Sequence, residues 1–100
     1  MNIVEVLENQ KFDFIKMDIE GAESVVLPAC KNYLSDVTYL FVEYHSVINQ
    51  KQSLSMILNI MSEAGFRVHV HSVMYSNSPF VRRKENSGFD LQLNIFGWKE

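Results

Sequence analysis

Glycine is scarce in this chain and widely spaced. Gly21, Gly65, Gly88 and Gly97 are the whole complement, and none forms a G-x-G cluster. That excludes a glycine-rich nucleotide loop of the G-x-G-x-x-G type within these residues. Cysteine is scarcer still. Cys30 stands alone, so no intrachain disulfide forms and a reducing compartment is expected. Its setting, LPACKNYL, reads as a helix in which packing, not reactivity, is its role. Basic residues are not concentrated either. The net charge is −3, and the one basic run, Arg82-Arg83-Lys84, sits among Ser, Asn and Glu as a solvated loop, which argues against a nucleic-acid partner. The apolar runs fall well short of the roughly 20 residues that span a bilayer, so no membrane partner is expected. Met1–Asn9 carries acids and no cleavable apolar core, unlike a secretory leader. Together these features place the protein in the cytoplasm.

At 100 residues, 47% hydrophobic and 21% charged, the sequence reads as a single small α/β domain over 1–100. Met1–Asn9 suggests a short helix capped by Asn2. Phe12–Asp18 carries apolar groups on both faces, the mark of a buried parallel strand. Gly21–Leu34 reads as a helix with Ala22, Val25, Val26 and Ala29 as its apolar face. Pro28 predicts a kink or a restart there, because proline lacks the N–H a helix interior needs. Val37–His45, VTYLFVEYH, is β-branched and aromatic, the clearest strand. Leu54, Ile57, Leu58, Met61 and Ala64 recur at helical spacing over Ser53–Ala64, and Gly65 ends that helix. Phe66–Met74 is a third strand and Ser76–Gly88 a polar loop. In Phe89–Trp98, Phe89, Leu91, Leu93 and Ile95 alternate with Asp90, Gln92 and Asn94, as a strand with unequal faces requires. The order is β-α-β-α-β-β, with the last two strands joined without a helix and therefore paired antiparallel. Tyr39, Phe41, Phe66, Phe96 and Trp98 are assigned to core packing. Phe12–Asp18, at the edge of such a sheet, is an apolar pairing hazard. Either another segment pairs with it or the chain self-associates, and the first is the expectation.

Acids gather where the strands end. FDFIKMDIEGAE (Phe12–Glu23) places Asp18 and Glu20 just after a strand and before a helix, the crevice in which open α/β sheets bind ligands. If Val37–His45 is the adjacent parallel strand, Glu43 and His45 share a face and meet Asp18 and Glu20. Three carboxylates and an imidazole so placed have three uses. One of them can serve as general base toward a hydroxyl, the acids can hold a hard divalent cation, or they can accept hydrogen bonds from a ligand. The structural alternatives are a helix cap for Asp18, first-turn acids for Glu20 and Glu23, and a plain hydrogen-bonded pair for Glu43 and His45. His69 and His71 share a strand face without a third ligand and read as a polar edge, so no metal site is assigned.

KMDIEGAE (Lys16–Glu23), VEYH (Val42–His45), a helix ending in AGF (Ala64–Phe66) and a terminal hairpin together resemble the C-terminal half of the FkbM-type S-adenosylmethionine-dependent methyltransferases, from about Phe12 to Trp98. The shared signature is D-x-E-G-x-E followed by E-[FY]-H. The resemblance implies a partial Rossmann-like methyltransferase sheet, its fourth to seventh strands, with Leu91–Phe96 lying between Val37–His45 and Phe66–Met74. It implies methyl transfer from S-adenosylmethionine to a hydroxyl of a small metabolite or sugar. Asp18 and Glu20 would sit at the cofactor–substrate junction, and Glu43 and His45 beside the acceptor. The family's glycine loop and ribose-binding acid have no counterpart in this sequence, so among cofactor-binding residues only Asp18 carries over. The competing reading is a non-catalytic α/β remnant or interaction module that pairs through its exposed edge strand. A metal-dependent hydrolase is weaker, since neither a nucleophile nor a two-metal carboxylate pattern is present.

Overall fold

In a computed structural model that describes residues 13–17, 23–74, 76–81 and 88–100, the chain forms a four-stranded sheet and two helices. The elements are β1 (Phe14–Met17), α1 (Glu23–Cys30) running into a 3-10 segment (Lys31–Asp36), β2 (Tyr39–Val47), α2 (Leu54–Glu63), β3 (Arg67–Met74) and β4 (Phe89–Trp98). The sheet order is β1-β2-β4-β3. β1 and β2 are parallel, and β4 runs antiparallel to both β2 and β3. The final strand is therefore inserted between the second and third, as the resemblance implied. The Asn2-capped helix lies outside the described residues.

Both crossovers, β1 to β2 and β2 to β3, travel in the same direction across this sheet. With the usual right hand, both helices then land on one face. The core lies there. Leu27, Cys30 and Leu34 from the first connection and Ile57, Ile60 and Met61 from α2 bury against Met17, Leu40, Val42, Tyr44, Leu93 and Ile95. The register explains the pairing of faces, because Met17 sits beside Val42, Val42 beside Ile95 and Tyr44 beside Leu93. Gly97 belongs to this packing, since a Cβ there would stand 2.6 Å from Met61 Cε and 3.3 Å from Phe66. Gly65, at φ +97°, turns the chain out of α2 toward β3.

Three expectations about burial are corrected. In the first helix Val26 is half-buried and packs against the core as expected, the side chains of Ala22 and Val25 lie outside the described residues, and Ala29 does not belong to the apolar face. Leu27 and Cys30 are buried and Ala29 is exposed, because 27, 30 and 34 share a helical stripe that continues onto Leu34. Pro28 sits inside α1 and does not restart it in a new first turn, and the α-helix gives way to 3-10 geometry at Lys31. Of the aromatics assigned to the core, only Phe66 is buried. Tyr39 (51% exposed) and Phe96 (40%) lie on the face away from the helices, where Phe41 and Trp98 are half-buried. β1 is likewise not buried on both faces. Ile15 and Met17 turn inward, while Phe14 and Lys16 are exposed. The open face is thus an aromatic surface, with Phe41 and Phe96 edge-to-face at 5.0 Å and the Lys16 ammonium 5.9 Å from the Phe41 ring. Among the described residues β1 is an edge strand, as the sequence predicted.

Two polar contacts tie the layers together. Lys99 Nζ donates to the carbonyls of Leu34 (2.7 Å) and Ser35 (3.0 Å), closing the end of the 3-10 segment beside the Val37 N–H, which donates to the Leu34 carbonyl at 3.1 Å. The buried Tyr44 hydroxyl accepts the N–H of Ser53 at 3.2 Å. Ser53 is the N-cap of α2 and its own side chain makes no cap bond, so the phenol fixes where that helix begins. Tyr44→Phe is expected to lower stability by about 1 kcal/mol in urea unfolding, the usual loss for one hydrogen bond. An unchanged midpoint would show that water replaces the phenol.

Candidate functional site

Glu43 and His45 lie two residues apart near the carboxyl end of β2, so their side chains leave the same face. The face is the open one, yet the histidine is enclosed, its side chain 4% exposed against 21% for Glu43. His45 Nε2 lies 3.5 Å from Glu43 Oε1. Gln92 Nε2 donates a hydrogen bond to the same oxygen from β4. On the other side of the imidazole lies Phe89, ring centroids 4.9 Å apart and tilted by 46°.

Local irregularity produces that last contact. The β2–β4 register shifts between Ser46 and Val47, so that Ser46 faces Leu91 while Val47 faces Phe89. A one-residue shift exchanges the two faces of a strand. Phe89, expected on the inner face with Leu91, therefore turns to His45. The neighbouring Ser46 points inward and accepts a hydrogen bond from Gln52 Nε2 at 3.0 Å.

The sequence-predicted site residues divide into two groups. Glu43 and His45 are brought together. Asp18 and Glu20 lie outside the described residues, as does Glu23's side chain. The sheet supplies their setting to the last described residue, for Met17 is paired with Val42, one position before Glu43. His69 and His71 are exposed on β3, and the His69 ring lies 6.1 Å from that of Phe96. Among the described residues no three His, Cys, Asp or Glu side chains cluster as a metal site would need. Gln92 and Phe89 were not singled out from the sequence. Their signal was the cross-strand register, which a single sequence does not carry. Cys30 is buried, donates weakly to the Leu27 carbonyl at 3.5 Å, and has its thiol pushed above the ordinary range by burial, as inert packing requires.

Chemically, a shielded imidazole held by a carboxylate at a strand end can take a proton from a hydroxyl presented to it. Residues 1–68 match the methyltransferase FkbM domain, a span that includes Asp18, Glu20, Glu43 and His45. The chain belongs to the FkbM methyltransferase family. Its fold is similar to a crystal structure of precorrin-6y C5,15-methyltransferase from Geobacter metallireducens GS-15, with a TM-score of 0.57 at 14% identity. That similarity covers 100% of this chain and 51% of the other, so the chain spans about half the length of that neighbour. No curated protein matches the chain.

Family membership implies S-adenosylmethionine, and the described residues do not fit it. Gly65 terminates α2, Gly88 precedes β4 and Gly97 packs beneath Met61 and Phe66. None of the three forms a turn that could cradle a nucleotide. No helix among the described residues is long and apolar enough to cross a membrane.

Proposed function

We propose that this chain carries the acceptor side of an FkbM-type methyltransferase acting on a hydroxyl of a small metabolite or sugar, in the cytoplasm. The observation that carries this reading is the enclosed Glu43–His45 pair at the end of β2, within the family match. His45 accepts the acceptor's hydroxyl proton as the oxygen becomes nucleophilic, and the Glu43 carboxylate stabilises the imidazolium that results. Asp18 and Glu20 are assigned to the junction between donor and acceptor, Asp18 also touching the cofactor. Holding the hydroxyl in line can supply much of the rate.

The methyl donor implied by the family is S-adenosylmethionine, and its cradle belongs to the part of the fold that has no counterpart here. We place that part against the outer edge of β1 and the adjoining aromatic face of Phe14, Tyr39 and Phe96, whether it is encoded on the same polypeptide or another. An apolar edge strand with exposed Phe14 (58%) is otherwise an invitation to uncontrolled pairing. The same open edge supports the second reading, a non-catalytic module that adds a partner's strand to β1.

Calorimetry separates the two. The 100-residue chain titrated with S-adenosylmethionine should give no binding heat, and a polypeptide joining it to the nucleotide-binding half of the fold should bind in the micromolar range. Silence in both titrations favours the non-catalytic module.

A further inference from the structure

We infer that Gln92 is a positioning residue: its amide holds the Glu43 carboxylate where that carboxylate keeps the His45 proton on Nε2, so the basic lone pair resides on Nδ1. The inference rests on the proposed reading of His45 as the base, and it adds which nitrogen acts and what fixes it. Gln92 lies beyond the 1–68 family match, so the match assigns it nothing.

The chemistry of the donors decides the orientation. An ionised carboxylate only accepts hydrogen bonds, so both groups facing Glu43 Oε1 must present N–H. The Gln92 amide therefore points its nitrogen inward, as observed, and the imidazole carries its proton on the Nε2 that lies 3.5 Å away. The Glu43 side chain has three torsions and partial access to solvent. A second donor from a neighbouring strand removes that freedom. The register makes it available, because Gln92 pairs with His45 and lies diagonally from Glu43, which pairs with Asn94; diagonal neighbours are within reach of long side chains. Phe89 closes the ring's other flank. The imidazole thus lies between the tilted Phe89 ring and a carboxylate that is itself held.

The test uses the full chain labelled with ¹⁵N at histidine, and long-range ¹H–¹⁵N spectra together with the exchange rate of the imidazole N–H. In the parent protein His45 should carry its proton on Nε2, with slow exchange, while the exposed His69 and His71 give reference signals. Gln92→Met, close in shape but without a donor, should speed that exchange about tenfold, the loss expected for one charge-assisted hydrogen bond. Gln92→Lys, which restores a donor, should return it toward the parent rate. A proton on Nδ1 in the parent, exchange within about twofold of the parent in Gln92→Met, or a lysine variant as fast as the methionine one would each overturn the inference. Glu43→Gln, read the same way, guards against a folding defect at position 92 and should also accelerate exchange. None of these readouts needs methyl transfer. If they hold while His45→Ala retains full turnover, the positioning stands and the proposed function falls.

Discussion

His45→Ala, in a polypeptide that also carries the nucleotide-binding half, should lower methyl transfer by about 100-fold or more, the lower end of what a positioned general base contributes. Folding should suffer much less. The imidazole is enclosed and lies against Phe89, so alanine removes some packing, on the order of 1–2 kcal/mol as for other enclosed side chains. His45→Gln separates the two effects. It fills most of the volume and can still donate to Glu43, but it cannot accept a proton reversibly near neutral pH. Its turnover should fall as far as that of the alanine variant while its melting temperature stays nearer the parent. Asp18→Ala belongs in the same assay, with the same expected pattern. Activity and stability lost in equal proportion would make His45 a structural residue, and unchanged turnover in His45→Gln would remove it from the mechanism.

Ile95→Ala should be the most damaging single truncation in the sheet. Ile95 is 0% exposed and sits in β4 between Val42 of β2 and Val70 of β3, facing the helices. Removing three carbons there leaves a cavity that the flanking strands cannot close, at a cost of about 2–5 kcal/mol. Chains of this size are stable by only about 5–15 kcal/mol, so a large share of the fold's margin disappears. Phe96, the next residue, is the internal control. It is larger but lies on the open face, 40% exposed, and Phe96→Ala should cost about 1 kcal/mol or less. Urea unfolding of the two variants reads the difference directly. Equal losses would mean that the outer face is as buried as the inner one in solution.

Much of the architecture was legible in the amino-acid pattern, for definite reasons. β4 was read with its observed bounds, Phe89–Trp98, because alternation survives wherever one face is buried and the other is not. α2 was legible from Ile57 and Met61, which recur at helical spacing and are buried. The insertion of β4 between β2 and β3 came through the family resemblance, since no local property of β3 or β4 states which strand lies between which. Burial on the open face was misread at Tyr39, Phe41, Phe96 and Trp98. An aromatic strand looks alike whether its outer surface is packed or waiting for a cover. The apolar face of α1 was read correctly at Val26 and missed at Leu27, Cys30 and Ala29, because its apolar residues are too evenly spread over a short helix to single out one stripe.

The candidate site was legible only as far as strand periodicity reaches. Glu43 and His45 share a face because they are two apart, and that needs no coordinates. Gln92 and Phe89 depend on register and on the shift at Ser46 and Val47, which no local pattern announces. Asp18 and Glu20 lie outside the described residues, so their convergence on His45 belongs to the proposal.

The placement of β4 has a consequence for how the molecule assembles. Among the described residues β3 makes its sheet hydrogen bonds only to β4, which a ribosome synthesises after it. Until Phe89–Trp98 emerges, β3 has no described strand to pair with. The earlier part, β1 with β2 and their connecting helix, can form first through neighbouring contacts, whereas joining the other side must await a strand arriving from the opposite direction. Synthesis order and spatial order are therefore out of step at one edge, and the slow step in refolding is expected at the arrival of β4.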